Sequence, residues 1–498
     1  MLVTDGSMKA KEFLVRTGLG IALSALSAML VVLAFPPYNL WVLVWIAFIP
    51  FILAQYRVMP PKLSSLAAAI FNGGWVWGYL GPVFRGSGTF MVYLAPAVAL
   101  ISFVADMTSR QFHERTHYRW FMLQGVTAWI GIEMIRLFLP IAGTWGFIAY
   151  TLHSQPWLIQ PASIFGIFGA SALIVIVNYA LGMAALALYD RRVAGAPGPI
   201  EAPLRRHLPK AAALSVGWVV LSLALFRQPA TDTRRVAAVQ PDAGVISAHF
   251  SGQEERVAAL LDQMVEQTRQ AAQQGAQFIV WPEGGYPGDP QQDDRINLAG
   301  LAQELDIYLS VGYAVMEEAG LRNEATVINP AGEYLGVFGK DHPVTFGGET
   351  SLTRGTYPVY DTTLGKLGTI ICYDLDFTDT ARKLSRQGAQ LIAVPSQDWG
   401  AIADKHYTHV VFRAVENRVA MVKADGGFDS AIIDAYGRVI SLASYPEGGG
   451  ALLVADVPLG EANALAIRLG DWVGWLGLLS LGFFTFGGNW LVKRAESA

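Results

Sequence analysis

Long apolar runs separated by short polar connections fill the first 230 residues, and one further apolar run lies near the C-terminus. A helix needs about 20 mostly apolar residues to cross a bilayer. The runs that approach or exceed this length predict membrane-spanning helices near 13–35, 40–57, 64–83, 89–108, 120–139, 164–188, 210–227 and 472–492. The pattern therefore predicts a polytopic helical membrane protein with about eight spans.

Residues 231–460 follow a different pattern, in which short apolar runs alternate with amphipathic stretches. Buried strands are predicted at 235–240, 277–281, 307–312, 367–371 and 390–394. Helices are predicted at 253–274, 293–305, 377–387 and 402–418. Two runs that flank the turn Pro330-Ala331-Gly332 predict a β-hairpin. This alternation is typical of an α/β layered domain whose central strands are covered on both faces.

The composition supports a division of the chain into membrane and soluble parts. Hydrophobic residues make up 53% of the sequence and charged residues only 15%, whereas a soluble protein carries about 25% charged residues. The charges are rare before residue 230 and normal in frequency after it. We predict an N-terminal transmembrane domain of about seven helices at 1–230, a soluble domain at 231–460, and a C-terminal helix with its tail at 461–498.

Lysine and arginine in the short connections predict the orientation, because such residues are enriched on the cytoplasmic side. One set of positions carries nearly all of them: Lys9, Lys11, Arg16, Arg57, Lys62, Arg110, Arg115, Arg119, Arg191, Arg192, Arg205, Arg206, Lys210, Lys493 and Arg494. The alternate connections carry only Arg85. Eight spans with both termini inside satisfy this pattern, and the soluble domain then faces outward.

Net charge and cysteine content exclude some functions. The formal net charge of −4, with no long basic run, does not suit a nucleic-acid-binding protein. The single cysteine, Cys372, excludes an intramolecular disulfide and leaves no second thiol to resolve a reactive one.

Three residues of the soluble domain form a candidate acyl-transfer set. Cys372 follows an apolar strand in Gly368-Thr-Ile-Ile-Cys-Tyr-Asp374, and Glu283 ends Phe278-Ile-Val-Trp-Pro-Glu283. Lys340 lies between them in Val337-Phe-Gly-Lys-Asp-His342. Ligands bind at the carboxyl edge of strands in open α/β sheets, where Glu283 and Cys372 are predicted to lie. A thiol site tethered to a membrane suggests chemistry on lipid.

These three motifs resemble the Glu-Lys-Cys motifs of the nitrilase, or carbon–nitrogen hydrolase, superfamily. Two further segments resemble the superfamily, Pro395-Ser-Gln-Asp-Trp399 and Arg413-Ala-Val-Glu-Asn-Arg418. Seven apolar spans before this domain and one after it resemble a single branch, the apolipoprotein N-acyltransferase family. The resemblance implies an αββα fold for the soluble domain.

The resemblance also implies an activity. Members of this family move a fatty acyl chain from a membrane phospholipid to their cysteine as a thioester, and then to the α-amino group of the N-terminal diacylglyceryl-cysteine of an apolipoprotein. By this resemblance Cys372 is the nucleophile, Glu283 the general base and Lys340 the oxyanion donor. It implies no cofactor and no metal. It places the protein in the cytoplasmic membrane with its catalytic domain on the outer, periplasmic face.

Three supporting residues are implied with departures from the family pattern. A Pro-Phe-Gly-Glu stretch is typical after the lysine, and Val344-Thr-Phe-Gly-Gly-Glu349 is one residue longer, so Glu349 is the candidate for that acid. The usual Cys-Tyr-Glu is Cys372-Tyr373-Asp374 here, with an acid one methylene shorter, and Tyr373 and Asp374 are the other two candidate supporting residues. A tryptophan expected after the first strand is missing, and Phe250 is its candidate substitute.

Two other functions share these features. A membrane-anchored amidase of the nitrilase type would use the same residues, and a noncatalytic lipoprotein-binding homologue would keep the fold without needing Cys372. A transporter is not favoured, because inverted repeats and paired broken helices are absent from the sequence.

Two further groups of residues have alternative interpretations. Glu133 and Arg136, one turn apart in the fifth span, form either a functional intramembrane site or a local ion pair. His406 and His409 have the spacing of metal ligands on one helical turn, but no carboxylate or third histidine in the sequence completes a zinc set. We therefore predict no metal site.

Overall fold

The structure is a computed structural model that describes residues 10–83, 90–139, 143–227 and 232–497. Two residues used in the orientation argument, Lys9 and Arg85, lie outside these ranges. The membrane part before the soluble domain consists of α1 Ala10–Ala34, α2 Ile49–Leu53, α3 Ser64–Val83, α4 Phe90–Asp106, α5 Ser109–Arg115, α6 Phe121–Arg136, α7 Ala162–Tyr189 and α8 Glu201–Leu225. These helices account for all seven predicted spans of this region, so the prediction of a polytopic helical part is confirmed.

Six helical segments are long and apolar enough to cross a membrane within the described ranges. They are Ala10–Ala34, Trp41–Val58, Val92–Arg115, Ala162–Val193, Glu201–Leu225 and the C-terminal Trp472–Glu496. The other two predicted spans correspond to α3 and α6. Because α6 has only 16 residues, it is shorter than the roughly 20 that a bilayer requires. The count of eight is therefore approximate.

The second predicted span is interrupted, and polar side chains of other helices complete its hydrogen bonds. It consists of a 3₁₀ turn at Trp41–Trp45, then α2, then a π turn at Ala54–Val58. The backbone N–H of Phe48 donates to Asn178 Oδ1 at 2.9 Å, and that of Phe51 donates to Ser27 Oγ at 2.8 Å. Unpaired backbone groups are costly in lipid, so these buried polar residues allow the irregular segment to lie inside the bundle.

The soluble domain begins with β1 Thr233–Gln240 and alternates helices with strands. The elements that follow are α9 Val245–Phe250, α10 Glu254–Gln273, β2 Phe278–Val280, β3 Tyr286–Pro287, α11 Leu298–Leu305, β4 Tyr308–Glu317, β5 Gly320–Ile328, β6 Tyr334–Gly339, β7 Val359–Thr362, β8 Gly365–Thr369, α12 Asp379–Arg386, β9 Leu391–Ser396, α13 Tyr407–Asn417, β10 Ala420–Asp425, β11 Asp429–Ile433, β12 Val439–Ser444 and β13 Ala451–Pro458. Short α14 Leu465–Leu469 then leads to the C-terminal helix α15 Trp472–Glu496.

Two sheets form the centre of this domain. The first has the strand order β13-β1-β2-β4-β5-β6, with β3 beside β4, and the second has the order β12-β11-β10-β9-β8-β7. Apolar residues of both sheets, among them Val236, Phe278, Leu391 and Val422, form one buried cluster. Helices α10 and α11 pack on the outer face of the first sheet, and α12 and α13 on that of the second. The predicted αββα layering is therefore confirmed.

Two of the predicted helices begin later in the chain than the sequence indicated. Helix α11 starts at Leu298 rather than near 293, because the Asn297 side chain accepts a hydrogen bond from the Gly300 N–H at 2.8 Å. Helix α13 starts at Tyr407 rather than near 402, after a separate 3₁₀ turn at Gly400–Ile402. The short elements α9, β3 and β7 lack a periodic pattern long enough to predict them.

The basic connections meet at one end of the helical bundle. Arg16, in α1, donates to the carbonyl of Arg57 at 2.8 Å, and Arg57 pairs with Asp190, beyond α7, at 2.6 Å. The soluble domain contacts the other end. Trp399 Nε1 donates to the carbonyl of Val83, the last residue of α3, and Gln160 Nε2, just before α7, donates to the carbonyl of Tyr436 at 2.9 Å.

Candidate active site

Strand ends bring the three predicted residues to one cavity. Glu283 comes three residues after β2, Lys340 directly after β6, and Cys372 three residues after β8. All three line a cavity of about 290 Å³, together with Glu349 and Tyr373. The membrane domain contributes Val83 and Trp145 to its wall. The remaining wall is mostly apolar and includes Ile246, Phe250, Leu321, Val344, Phe346, Trp399 and Ile402.

Cys372 lies at a strained turn between β8 and the 3₁₀ turn Cys372–Asp376. Its φ of 45° is in the left-handed region, where a residue other than glycine is held at a cost of about 1–3 kcal/mol. The side chain is 6% exposed, so the sulfur reaches only the cavity. Such strain persists where the surrounding structure fixes the residue. Here it holds Cys372 in the wall of the cavity that Glu283 and Lys340 also line.

Lys340 is held between two carboxylates. Its Nζ lies 2.7 Å from Glu283 Oε1 and 2.9 Å from Glu349 Oε2. Asn323 Nδ2 donates to the same two carboxylates, each at 2.6 Å. The backbone N–H of Val344 donates to Glu349 Oε2 at 2.8 Å, which fixes the loop after Lys340. Glu349, predicted from a motif of unequal length, therefore lies against the lysine, and Asn323 is a contact that the sequence did not indicate.

The charges of this group set its protonation. Burial lowers the pKa of Lys340, but Glu283 and Glu349 outweigh burial and raise that pKa well above its ordinary value. Lys340 is therefore an ammonium at neutral pH. Burial raises the pKa of Glu283, and the positive charge of Lys340 limits that rise. A carboxylate with raised proton affinity beside a fixed ammonium is suited to accept and return a proton.

The thiol is neutral in the resting site. Burial raises the pKa of Cys372 well above its ordinary value, Glu283 raises it further, and Lys340 opposes this change. A neutral thiol is a weak nucleophile, so the site needs a base. Glu283 lines the same cavity and its charge acts on the sulfur, so it stays the predicted base.

Tyr373 and Asp374, the other predicted supporting residues, have different surroundings. The Tyr373 ring lines the cavity and packs edge-on against Phe346 and Phe377. Asp374 is fully buried and joins two loops: Oδ1 accepts from the His342 N–H at 2.8 Å, and Oδ2 accepts from the Ile371 N–H at 3.0 Å. Asp374 therefore connects the cysteine turn to the loop after Lys340.

Removing this connection is expected to destabilise the domain. An Asp374→Ala substitution leaves the backbone N–H groups of Asp341, His342 and Ile371 without their acceptor. One unsatisfied buried donor costs about 1–3 kcal/mol, so we expect the free energy of unfolding to fall by at least about 2 kcal/mol. Thermal unfolding in detergent measures this effect. Asp361→Ala, at an 84% exposed side chain, is the matched control, and equal midpoints for the two variants would contradict the assigned role.

A second buried network, which sequence reasoning missed, also borders the cavity. Asp398 follows β9, and its Oδ1 accepts from the Cys372 thiol at 3.9 Å and lies 2.7 Å from His406 Nδ1. Asp376 lies against both His406 and His409 and accepts from Trp145 Nε1 at 2.7 Å. Only the resemblance of the segment Pro395–Trp399 pointed to this region, since these residues are far apart in sequence.

The structure corrects one step of the metal argument. A carboxylate, Asp376, does join His406 and His409, and their ligand atoms lie within 4.8 Å of one another. The negative charge of Asp376 is balanced without a metal ion, because His406 is protonated. Asp398 and Asp376 outweigh burial and raise the pKa of His406 to about 10. Burial lowers the pKa of His409 to about 4. One imidazolium between two carboxylates accounts for this arrangement, and we keep the absence of a metal as a prediction.

Glu133 and Arg136 both stabilise the loop that carries Trp145. Glu133 Oε1 accepts from the backbone N–H of Ile148 at 3.0 Å, and Arg136 donates to the carbonyl of Trp145. The Arg136 guanidinium also lies over the Phe147 ring, 5.2 Å from its centroid. No ion pair joins the two within the described ranges. Their intramembrane charge thus acts on the wall of the cavity.

Comparisons with known proteins match both parts of the chain. The family model for the apolipoprotein N-acyltransferase N-terminal domain matches residues 27–180, and the carbon–nitrogen hydrolase model matches residues 235–467. An apolipoprotein N-acyltransferase from Geobacter metallireducens is 28% identical over 91% of this chain and 92% of its own length. A second one, from Gloeobacter violaceus, is 24% identical over 88% of each chain.

The soluble domain alone has other relatives. An omega-amidase from Mus musculus is 29% identical over 38% of this chain and 80% of its own length. Among solved structures, an amidase of the nitrilase superfamily from Nesterenkonia sp. AN1 has a TM-score of 0.39 and 22% identity, over 48% of this chain and 95% of the amidase. The two acyltransferases match the helical and the soluble part together, and the two family models cover both parts. This chain belongs to the apolipoprotein N-acyltransferase family.

Proposed function

We propose that this protein transfers a fatty acyl chain from a membrane phospholipid, through a thioester on Cys372, to the α-amino group of the N-terminal diacylglyceryl-cysteine of apolipoproteins. One observation carries the proposal. Cys372, Glu283 and Lys340 share a largely apolar cavity that also has Val83 and Trp145 of the membrane domain in its wall. The match to acyltransferase relatives over most of the chain supports the same reaction.

In the first half-reaction Glu283 takes the thiol proton while Sγ attacks the carbonyl carbon of the phospholipid ester. The ammonium of Lys340 stabilises the oxyanion of the tetrahedral intermediate. When the ester C–O bond breaks, Glu283 returns the proton to the leaving lysophospholipid alcohol. The products are the acyl-cysteine thioester and a lysophospholipid.

In the second half-reaction the lipoprotein amine attacks the thioester carbonyl. An α-amino group has a pKa of about 7.7–8.0, so a substantial fraction is unprotonated at neutral pH. Glu283 accepts a proton from the attacking nitrogen, Lys340 again stabilises the oxyanion, and the C–S bond breaks. The proton on Glu283 returns to the sulfur, which restores the neutral thiol and leaves an amide on the lipoprotein.

The wall of the cavity favours lipid over a small amide. Phe250, Phe346 and Trp399 line it while their side chains remain 36–54% exposed. Apolar side chains that are both in a cavity and at its mouth suit an acyl chain that enters from the bilayer. They also reduce access of water, which competes with the amine for the thioester.

We propose the orientation and domain division that the sequence predicted. The contacts of Arg16, Arg57 and Asp190 at the end of the bundle away from the soluble domain support a cytoplasmic position for that end. The soluble domain then lies on the outer face of the cytoplasmic membrane. The proposed domains are 1–230, 231–460 and 461–498. Helix α8 ends at Leu225 and β1 begins at Thr233, on either side of the first limit, and β13 ends at Pro458, just before the second.

The test separates the two half-reactions. Incubation of the purified protein with phospholipid is expected to add one fatty-acyl mass to the intact protein, on the single cysteine of the chain. A diacylglyceryl-cysteine peptide is then expected to remove that mass and to gain it as an amide. Intact-protein and peptide mass spectrometry measure both events.

The alternatives predict other outcomes in the same assay. Release of ammonia from small amides without acylation of the peptide would favour a membrane-anchored amidase. Binding of the peptide with no acyl adduct on the protein would favour a noncatalytic lipoprotein-binding homologue. Either result would overturn the proposal.

A further inference from the structure

Cys372 has a buried polar neighbour that the proposed reaction does not use. Its Sγ lies 3.9 Å from Asp398 Oδ1. The same oxygen lies 2.7 Å from His406 Nδ1, and the other oxygen accepts from Lys423 Nζ at 2.7 Å. The side chains of Asp398, His406 and Lys423 are at most 1% exposed. Asp398 is thus a buried carboxylate, fixed by two cationic side chains, that accepts a hydrogen bond from the sulfur.

His406 is fixed in turn by the membrane domain. Its Nε2 lies 3.5 Å from Asp376 Oδ1, and the Trp145 ring stacks on its imidazole with centroids 5.7 Å apart. Trp145 Nε1 donates to Asp376 Oδ2, and the Thr144 N–H donates to the Asp376 carbonyl at 2.8 Å. A continuous chain of contacts therefore runs from the loop of the membrane domain to the sulfur.

A purely packing role does not explain this chain of contacts. Buried ion pairs are costly to desolvate, and apolar residues of similar volume often stabilise a fold as well or better. Buried hydrogen-bonded networks, in contrast, hold their members in one geometry. Both carboxylate oxygens of Asp398 have such partners. The strained backbone of Cys372 requires such restraint, since neither Glu283 nor Lys340 has a hydrogen bond to its sulfur in the described structure.

We propose that Asp398 and His406 are positioning residues for Cys372: Asp398 accepts the hydrogen bond of the thiol and directs the sulfur, and His406, held by Asp376 and Trp145, fixes Asp398. The proposal rests on Cys372 being the nucleophile. Asp398 does not exchange a proton with substrate in this scheme. It keeps the thiol protonated and oriented until Glu283 acts.

The charges of Asp398 and His406 predict the direction in which each substitution changes the pKa of Cys372. Burial is the largest cause of the raised pKa of Cys372, and the negative charge of Asp398 adds to it. Removing Asp398 is expected to lower that pKa, whereas removing the imidazolium of His406 is expected to raise it. The titratable groups that face the sulfur or its partners in this network are Glu283, Lys340, Glu349, Tyr373, Asp376, Asp398, His406, His409, Lys423, Asp425 and Asp429.

The experiment measures the rate at which iodoacetamide alkylates the intact, detergent-solubilised protein across a pH series. Because the chain has a single cysteine, every thioether adduct on cysteine, assigned by peptide mass spectrometry, reports on Cys372. In Asp398→Asn we expect the midpoint of the curve of alkylation rate against pH to fall by about 1–3 pH units, which is the usual effect of a nearby charge on a pKa. In His406→Gln we expect a smaller shift in the opposite direction. His249→Gln and Asp361→Asn, at partly exposed and exposed side chains outside the cavity, are the controls.

Opposite shifts in the two variants support the proposal, because loss of structure alone would move both midpoints the same way. Unchanged midpoints, or shifts in one direction, overturn it. If Asp398→Asn does not fold, His406→Gln decides, since it leaves the pair of Asp398 and Lys423 intact. A wild-type protein that takes up no acyl group from phospholipid would instead contradict the proposed function, and the alkylation shifts would still be measured.

Discussion

The Cys372→Ala variant is expected to lose transfer of the fatty acyl chain by a factor on the order of 10⁴ or more, because no other thiol exists in the chain to form the thioester. The loss should appear in both half-reactions: no acyl mass on the intact protein, and no amide on the diacylglyceryl-cysteine peptide. Intact-protein mass spectrometry and a peptide acylation assay measure the two losses separately.

Cys372→Ser makes this prediction more specific. The hydroxyl fits where the thiol lies, yet it is much less acidic, and a carboxylate such as Glu283 is a weak base toward it. We therefore expect Ser to be nearly as inactive as Ala while the cavity and the fold are kept. Both variants should unfold at temperatures close to that of the wild type. Acyl transfer that persists in Cys372→Ala would exclude the thioester route and would favour another nucleophile.

The sequence was sufficient to predict that the three candidate residues share one site, because each one follows a short apolar strand within three residues. The motifs around Glu283, Lys340 and Cys372 are local. The packing of the two sheets brings the ends of β2 and β6, in one sheet, and of β8, in the other, to one cavity. Asn323 and Asp398 were not found in this way. Both act through contacts with residues far away in the sequence, Asn323 with Glu283 and Glu349, and Asp398 with Cys372. No periodic pattern encodes such a pairing.

Prediction from sequence was limited in a similar way for the membrane part. Hydropathy located its helices, but it could not indicate that the second span is broken, since Trp41–Trp45 is as apolar as a regular helix. It also gave no reason to connect Trp145 with the soluble domain. Trp145 lies in an uncharged connection that resembles an interfacial aromatic belt. Its position in the cavity wall is known from the fold, through its hydrogen bond to Asp376 and its stacking on His406.

The Lys340→Gln variant is expected to be slower by about 10²–10³ in thioester formation, the usual effect of losing one oxyanion donor. We also expect a shift of the pH–rate profile, which reports on the effect of the Lys340 charge on Glu283. Glu283 acts only when it is deprotonated, so the rate falls as pH falls through its pKa. Lys340 lowers that pKa in the wild type, and its removal leaves Glu283 and Glu349 facing each other without a cation. The acidic limb of the pH–rate profile should therefore move to higher pH.

This second effect separates a catalytic lysine from a structural one. Because the pKa of Lys340 is raised well above its ordinary value, the lysine itself does not titrate near neutral pH in the wild type, and the acidic limb reports on Glu283. Lys366→Gln is the matched control, at a 43% exposed lysine that pairs only loosely with Asp361, and its profile should coincide with that of the wild type. If Lys340→Gln keeps both the wild-type rate and the wild-type limb, the ammonium neither stabilises the oxyanion nor tunes Glu283. The rate loss without the shift would mean that Lys340 acts on the oxyanion alone, and that Asn323 is sufficient to keep Glu283 ionised.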